Sequence, residues 1–219
     1  MTVIRQEDFI ASVAGALQYI SYYHPVDYIR SLARAYEREQ SPAARDAMAQ
    51  ILINSRMCFE GHRPVCQDTG IVNAFVKLGM DVRFEPGPGE EPRDLQQMID
   101  AGVRRAYLDP DNKLRASLQA DPAGKRINTK DNTPAAVFVE VVRGGTVEVT
   151  VAAKGGGSEA KSKFIMLNPN DSVVDWVLKT VPTMGAGWCP PGILGIGIGG
   201  TAEKAMLLAK QSLMDPIDI

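Results

Sequence analysis

Apolar residues recur along the first sixty positions at helical spacing. Phe9, Val13, Leu17 and Ile20 stand four, four and three apart, which puts them on one helical face. After His24-Pro25 a second helix carries Tyr28, Ile29, Leu32 and Tyr36 on its stripe. A third begins at Ser41-Pro42, an N-cap residue followed by proline at the first helical position. Its face holds Met48, Ile51, Leu52 and Ser55, and Gly61 marks its stop.

The period then changes. Residues 71–78 (IVNAFVKL) form a mostly apolar, β-prone run, read as a strand. A loop rich in Pro, Gly and Glu over 85–92 leads to a helix carrying Leu95, Met98, Ile99, Val103 and Tyr107. Residues 109–134 are polar and read as a long surface loop, a kind of segment that is often functional. Residues 137–142, Gly144-Gly145 and residues 146–152 predict a β-hairpin around a Gly-Gly turn. A helix over 171–180 is expected to stop at Pro182, and a glycine-rich strand over 193–199 to enter a final helix near Thr201. Helices first, a central hairpin and mixed elements after it predict an α+β, loosely α/β, fold. Residues 214–219 (MDPIDI), just after that helix, read through their Asp215-Pro216 as a link to further structure.

Composition narrows the function. Of 219 residues, 24 are Lys or Arg and 26 Asp or Glu, so there is no basic excess to neutralise phosphates, and nucleic acid is not an expected partner. No apolar run approaches the roughly 20 residues of a membrane span, and no membrane partner is expected. The N-terminus carries Arg5, Glu7 and Asp8 with no apolar block behind them, which argues against a secretory signal and for the cytoplasm. Three cysteines, Cys58, Cys66 and Cys189, are too few for a disulfide framework.

Four stretches use more glycine, proline and polar residues than packing needs: 63–70, 154–158, 187–192 and 195–200. Cys66 and Cys189 each sit in a loop beside proline, where a small buried hydrophobe and a ligand for a soft metal centre are comparable readings. Cys58, on the apolar part of a helix, reads as core. No Cys-x-x-Cys or His-x-x-x-His spacing supports a zinc finger. An incomplete ligand set fits a cluster with one open iron, or a site shared with another segment. Gln67 and Asp68 directly follow Cys66. Beside a metal centre they suit substrate positioning and proton movement, and elsewhere they are turn formers. Gly195-x-Gly197-x-x-Gly200 matches the dinucleotide fingerprint literally, but too little chain follows for the second strand and its ribose-binding acid. Gly199 and Gly200 more simply open the last helix, whose free N–H groups suit a carboxylate. The triple glycine at 155–157 reads either as an anion nest or as a flexible loop.

Taken in order, Cys66-Gln67-Asp68-Thr69-Gly70, the stretch Ala153 to Ser158, Cys189-Pro190-Pro191 and the helix start Gly199-Gly200-Thr201-Ala202-Glu203 resemble a known family. They are similar to the N-terminal domain of class I iron–sulfur fumarate hydratases and to the alpha subunits of L-tartrate dehydratases. The resemblance runs from the first helix to the last residue. It implies a hydro-lyase interconverting fumarate plus water and malate, with L-tartrate dehydration as the alternative. An assembly domain without catalysis is the alternative of another class. It implies a 4Fe-4S cluster with Cys66 and Cys189 as two of three cysteine ligands, the third lying beyond Ile219. Gln67, Asp68, Arg115 and the Gly157 backbone N–H are then expected to contact a small dicarboxylate, with Asp68 as the candidate acid. The implied partners are a C-terminal domain or beta subunit and a second copy in a homodimer. Ala160 stands where the family more often has asparagine.

Overall fold

In a computed structural model, which describes residues 1–217, the chain divides into two compact units, Met1–Lys154 and a second beginning at Gly155. Asp218 and Ile219, the end of the expected link, lie outside the described residues. The architecture is α+β, as the patterning predicts.

The first unit opens with β1 (Thr2–Arg5), then α1 (Gln6–Tyr22), α2 (Val26–Arg38) and α3 (Pro42–Gly61). All three helices stand where the apolar spacing places them. Ser41 caps α3 by accepting the Ala44 N–H, and His62 ends it in the left-handed region at φ 47°. Next come β2 (Ile71–Gly79), β3 (Val82–Glu85) and α4 (Leu95–Tyr107), the last opened by a capping box between Asp94 and Gln97. β1 and β3 pair in parallel. Each has only four residues, too few to show a period in the sequence.

The unit closes with two-residue strands β4 (Gln119–Ala120) and β5 (Ile127–Asn128), then β6 (Ala136–Val142) and β7 (Val147–Lys154). The expected hairpin is corrected here. Both its strands exist, but they do not pair with each other. The sheet order is β6-β2-β7, with β2 parallel to β6 and antiparallel to β7. The connection between β6 and β7 instead crosses the end of β2. Gly79, Met80 and Asp81 donate their N–H groups to the carbonyls of Thr146, Val142 and Gly144, each at 2.9 Å. Gly79 permits this, because a Cβ there would stand 2.3 Å from the Gly144 carbonyl oxygen. Its central place also explains why β2 reads as a nearly continuous apolar run rather than an alternating one.

α1 and α4 pack together, with Ile10, Val13 and Leu17 meeting Ile99 and Val103 in one core that takes in Val72, Ala74 and Val76 of β2. The 109–134 stretch is not wholly a surface loop. It buries Asn112, Leu114 and Asn132.

The second unit holds α5 (Gly156–Glu159), α6 (Val173–Thr180) and α7 (Ala202–Gln211), with 3-10 turns over Val181–Trp188 and Ser212–Met214. α6 ends at Thr180, two residues before Pro182, as expected, and Pro182 lies in the first turn of the 3-10 segment that follows. The strand expected over 193–199 is also corrected. Those residues pair with no strand and lie against α7, where a Cβ at Gly197 would come 2.0 Å from the Ala205 carbonyl oxygen. That placement removes the strand half of the dinucleotide reading. No residue of this unit is buried among the described residues. No helix among the described residues is long and apolar enough to cross a membrane.

Candidate active site

The turn between α3 and β2 carries Cys66, Gln67 and Asp68. Its approach is held from two helices: Val65 donates its N–H to the Ser21 carbonyl at 2.8 Å, and Asn54 Nδ2 bonds the Val65 carbonyl at 3.0 Å. The Cys66 side chain is exposed. Its sulfur receives the Asp68 N–H at 3.4 Å and lies 3.5 Å from Gln67 Oε1. Asp68 behaves as the turn former its type suggests, accepting the Gly70 N–H on Oδ1 at 3.2 Å. Gly70, at φ 76°, passes so near β7 that a Cβ would stand 2.6 Å from the carbonyl carbon of Lys154. Ile71 pairs with Lys154 in the sheet, so the cysteine turn adjoins the residue from which the glycine stretch continues.

Two further ties reach the turn from behind. Tyr107 donates its hydroxyl to the Thr69 carbonyl at 2.8 Å. Burial pushes the Tyr107 phenol up to about 12 and the Asp68 charge adds to this, while hydrogen bonds to Thr69 and Asn132 work the other way. The group therefore stays a donor throughout the neutral range. Thr69 Oγ1 donates to the carbonyl of Arg115, fixing that backbone beside the turn while the Arg115 side chain stays exposed. A small cleft lies here, with Leu17, Tyr107 and Leu114 on its apolar side and Cys66, Asp68 and Thr69 on the other.

The second unit carries the other two expected residues. Cys189 is exposed and sits in the left-handed region at φ 60°, its N–H bonded to the Ala186 carbonyl at 3.0 Å. A cis Pro190–Pro191 bond follows. Gly157 lies against the same segment: a Cβ on it would be 2.9 Å from the Gly187 carbonyl oxygen. The glycine stretch and the Cys189 loop thus meet within this unit, and Cys66, Gln67, Asp68 and Arg115 meet within the first.

Cys58 is buried, as expected, with its sulfur near Asn54 Oδ1 at 3.6 Å and the Pro64 carbonyl at 3.5 Å. Burial pushes its thiol up, which disfavours the thiolate a metal would need.

A family profile described as fumarate hydratase (Fumerase) matches residues 10–219, nearly the whole chain. The chain belongs to the fumarate hydratase family. Among curated relatives of this fumarate hydratase family chain, a protein of Methanocaldococcus jannaschii named provisionally as L(+)-tartrate dehydratase subunit alpha is 30% identical over 202 residues. That match covers 89% of this chain and 68% of the relative. The L(+)-tartrate dehydratase subunit alpha of Escherichia coli O157:H7 is 28% identical, covering 94% of this chain and 66% of its own length. The protein of the same name from strain K12 is 27% identical with the same coverage. The chain thus spans about two-thirds of the length of the curated relatives it matches.

The donor chemistry suits an iron–sulfur group in part. Cys66 and Cys189 are free, exposed thiols of the soft type such clusters select. Among the described residues no three His, Cys, Asp or Glu side chains gather into a metal site. Sequence reasoning missed three residues that build the turn: Thr69, Tyr107 and Asn132. Tyr107 reads as core because it also fills a helical stripe. Asn132, at φ 61°, left only the hint of an asparagine ahead of Thr-Pro.

Proposed function

We propose that this chain is the N-terminal, alpha-type part of an iron–sulfur hydro-lyase that interconverts fumarate plus water and (S)-malate. The observation that carries the reading is the Cys66-Gln67-Asp68 turn, its first two residues exposed and Asp68 half-buried, with the Arg115 backbone bonded to its Thr69. One thiol, one amide, one carboxyl group and one guanidinium are thereby collected on neighbouring backbone. Cys66 and Cys189 would hold a 4Fe-4S cluster together with a third cysteine from outside this chain. When bound, such a cluster supplies a Lewis-acidic iron for the substrate hydroxyl and carboxylate.

The chain's own residues do the rest. The Arg115 guanidinium pairs with the remote substrate carboxylate in a two-pronged contact. The Gln67 amide orients the substrate backbone, and the Gly157 N–H offsets charge that grows as the carbon-bound proton moves. The Asp68 carboxyl, steadied by the Gly70 N–H, is the candidate group to hold or release a proton in that step. A C-terminal domain or a beta subunit completes the site, and the full enzyme is a homodimer of the completed unit.

A second reading, L(+)-tartrate dehydration to oxaloacetate, is favoured by the names of the curated relatives. The deciding experiment reconstitutes the complete enzyme anaerobically with iron and sulfide and follows malate, fumarate and L-tartrate in parallel. Turnover of malate and fumarate with the higher kcat/KM supports the first reading. A higher kcat/KM on L-tartrate assigns the second. A soluble complete protein that holds no iron and turns over none of the three is an assembly domain.

A further inference from the structure

We infer that Asn132 is a positioning residue, whose single buried amide sets the Asp68 carboxylate and Arg115 in register with each other. The inference rests on the hydro-lyase reading and deepens it. Asn132 is fully buried, at 0% exposure, and belongs to neither of the strands or helices around it. Its Nδ2 donates to the Gly70 carbonyl at 2.9 Å. Its Oδ1 accepts the Ser117 N–H at 2.9 Å and the Leu118 N–H at 3.0 Å.

These bonds close a circuit. From Asp68 Oδ1 it runs to the Gly70 N–H, and from the Gly70 carbonyl to the Asn132 amide. From Asn132 it passes to the Ser117 N–H, back along the chain to Arg115, and from the Arg115 carbonyl to Thr69 beside Asp68. Both backbone polar groups of Gly70 are therefore fixed, its N–H by the carboxylate and its carbonyl by Asn132. The 115–118 segment is held at two points, by Thr69 and by Asn132. A buried amide is a rigid choice for such a joint, because each lost bond leaves a buried polar group unpaired. Only a side chain with a donor and an acceptor on one short stem serves both partners. Aspartate keeps the acceptor and loses the donor.

The test is a double-mutant cycle in the complete, reconstituted enzyme, with Asn132→Asp and Arg115→Ala made singly and together. Asn132→Asp is expected to lower kcat/KM for the dicarboxylate at least 10-fold with iron content unchanged. In the Arg115→Ala background the same change should cost less than 3-fold, because the contact it serves is already gone. Deuterium uptake of peptides spanning 66–70 and 115–118 should rise in Asn132→Asp, a readout that does not depend on turnover. Equal fold losses in both backgrounds, or unchanged uptake in those peptides, overturn the inference. A full-activity Arg115→Ala enzyme instead overturns the assignment of Arg115 to the substrate, and the uptake data then still decide whether Asn132 sets the turn. Should Asn132→Asp not fold, Thr69→Val opens the same circuit at its other side and takes its place in the cycle, with the same expected and overturning outcomes.

Discussion

Arg115 shows how a residue is placed by its neighbours rather than by its own side chain. Leu114 before it is buried, and its own carbonyl is bonded to Thr69, so the guanidinium projects from an anchored backbone. The dicarboxylate proposed as substrate is a dianion and the chain carries a formal charge of −2, so its attraction has to come from local placement. In the complete enzyme, Arg115→Ala should remove the proposed charge-assisted contact, about 1.5–3 kcal/mol. That corresponds to a fall in kcat/KM of roughly 10- to 150-fold, measurable in steady-state assays with cluster content unchanged. Arg115→Lys should recover part of the loss, since a point charge replaces a two-pronged contact. Cys58 and Cys66 make the complementary point: the same side chain is a core filler on α3 and an exposed thiol eight positions later.

At the scale of elements, glycine has opposite effects in a helix and at a crossing. Gly15 lies on the exposed side of α1, with nothing within 4 Å of where a Cβ would be. Gly15→Ala should raise stability by about 0.5–1 kcal/mol through helix propensity alone. Gly79 ends β2 beneath the connection from β6 to β7, where a Cβ would collide with backbone rather than with a yielding side chain. Gly79→Val should lower stability by about 1–3 kcal/mol or more, as overpacking does. Thermal and urea unfolding of the two variants beside the parent chain measure both signs. The crossing also explains the corrected hairpin. The strands on either side of Gly144-Gly145 have the right period and a fitting turn, and local pattern has no means of showing that a strand from sixty positions earlier lies between them.

At the scale of the molecule the two units differ in how well they bury their apolar residues. The first has a continuous core, whereas Met166, Leu178 and Ile198 of the second are each two-thirds or more exposed. Segments with few buried apolar contacts open most readily. Limited proteolysis of this chain should therefore cut first beyond Gly155 and leave a resistant fragment ending near Lys154, read by mass spectrometry. Equal resistance across the chain would contradict that division. Acid should weaken the first unit through His24, whose ring nitrogen lies 3.0 Å from Ser55 Oγ. Burial holds its pKa below the ordinary value, so the unfolded chain takes up the proton first. The associated stability is fully present above the ordinary histidine range and is lost as pH falls through that range toward the folded value. Between pH 7.5 and 5.5, Tm should fall more for the parent than for His24→Gln, which carries no titrating ring.

The sequence by itself determined the longer helices, the cap of α3 at Ser41, the strand at β2, the α+β class and the motif order that resembles the fumarate hydratase family. Each of these rests on contacts between residues a few positions apart, or on short motifs, and so is written in local order. Tertiary structure decided what depends on distant partners. It placed β2 between β6 and β7, laid residues 193–199 along α7 instead of in a sheet, and drew Asn132 from a polar stretch into the core. It also joined that amide to Gly70, 62 positions away, and Thr69 to Arg115, 46 positions away. The physical reason is that an amide or hydroxyl looks the same in sequence whether it meets water or a buried carbonyl. Only the packed chain supplies the partner that turns a polar loop residue into part of a site.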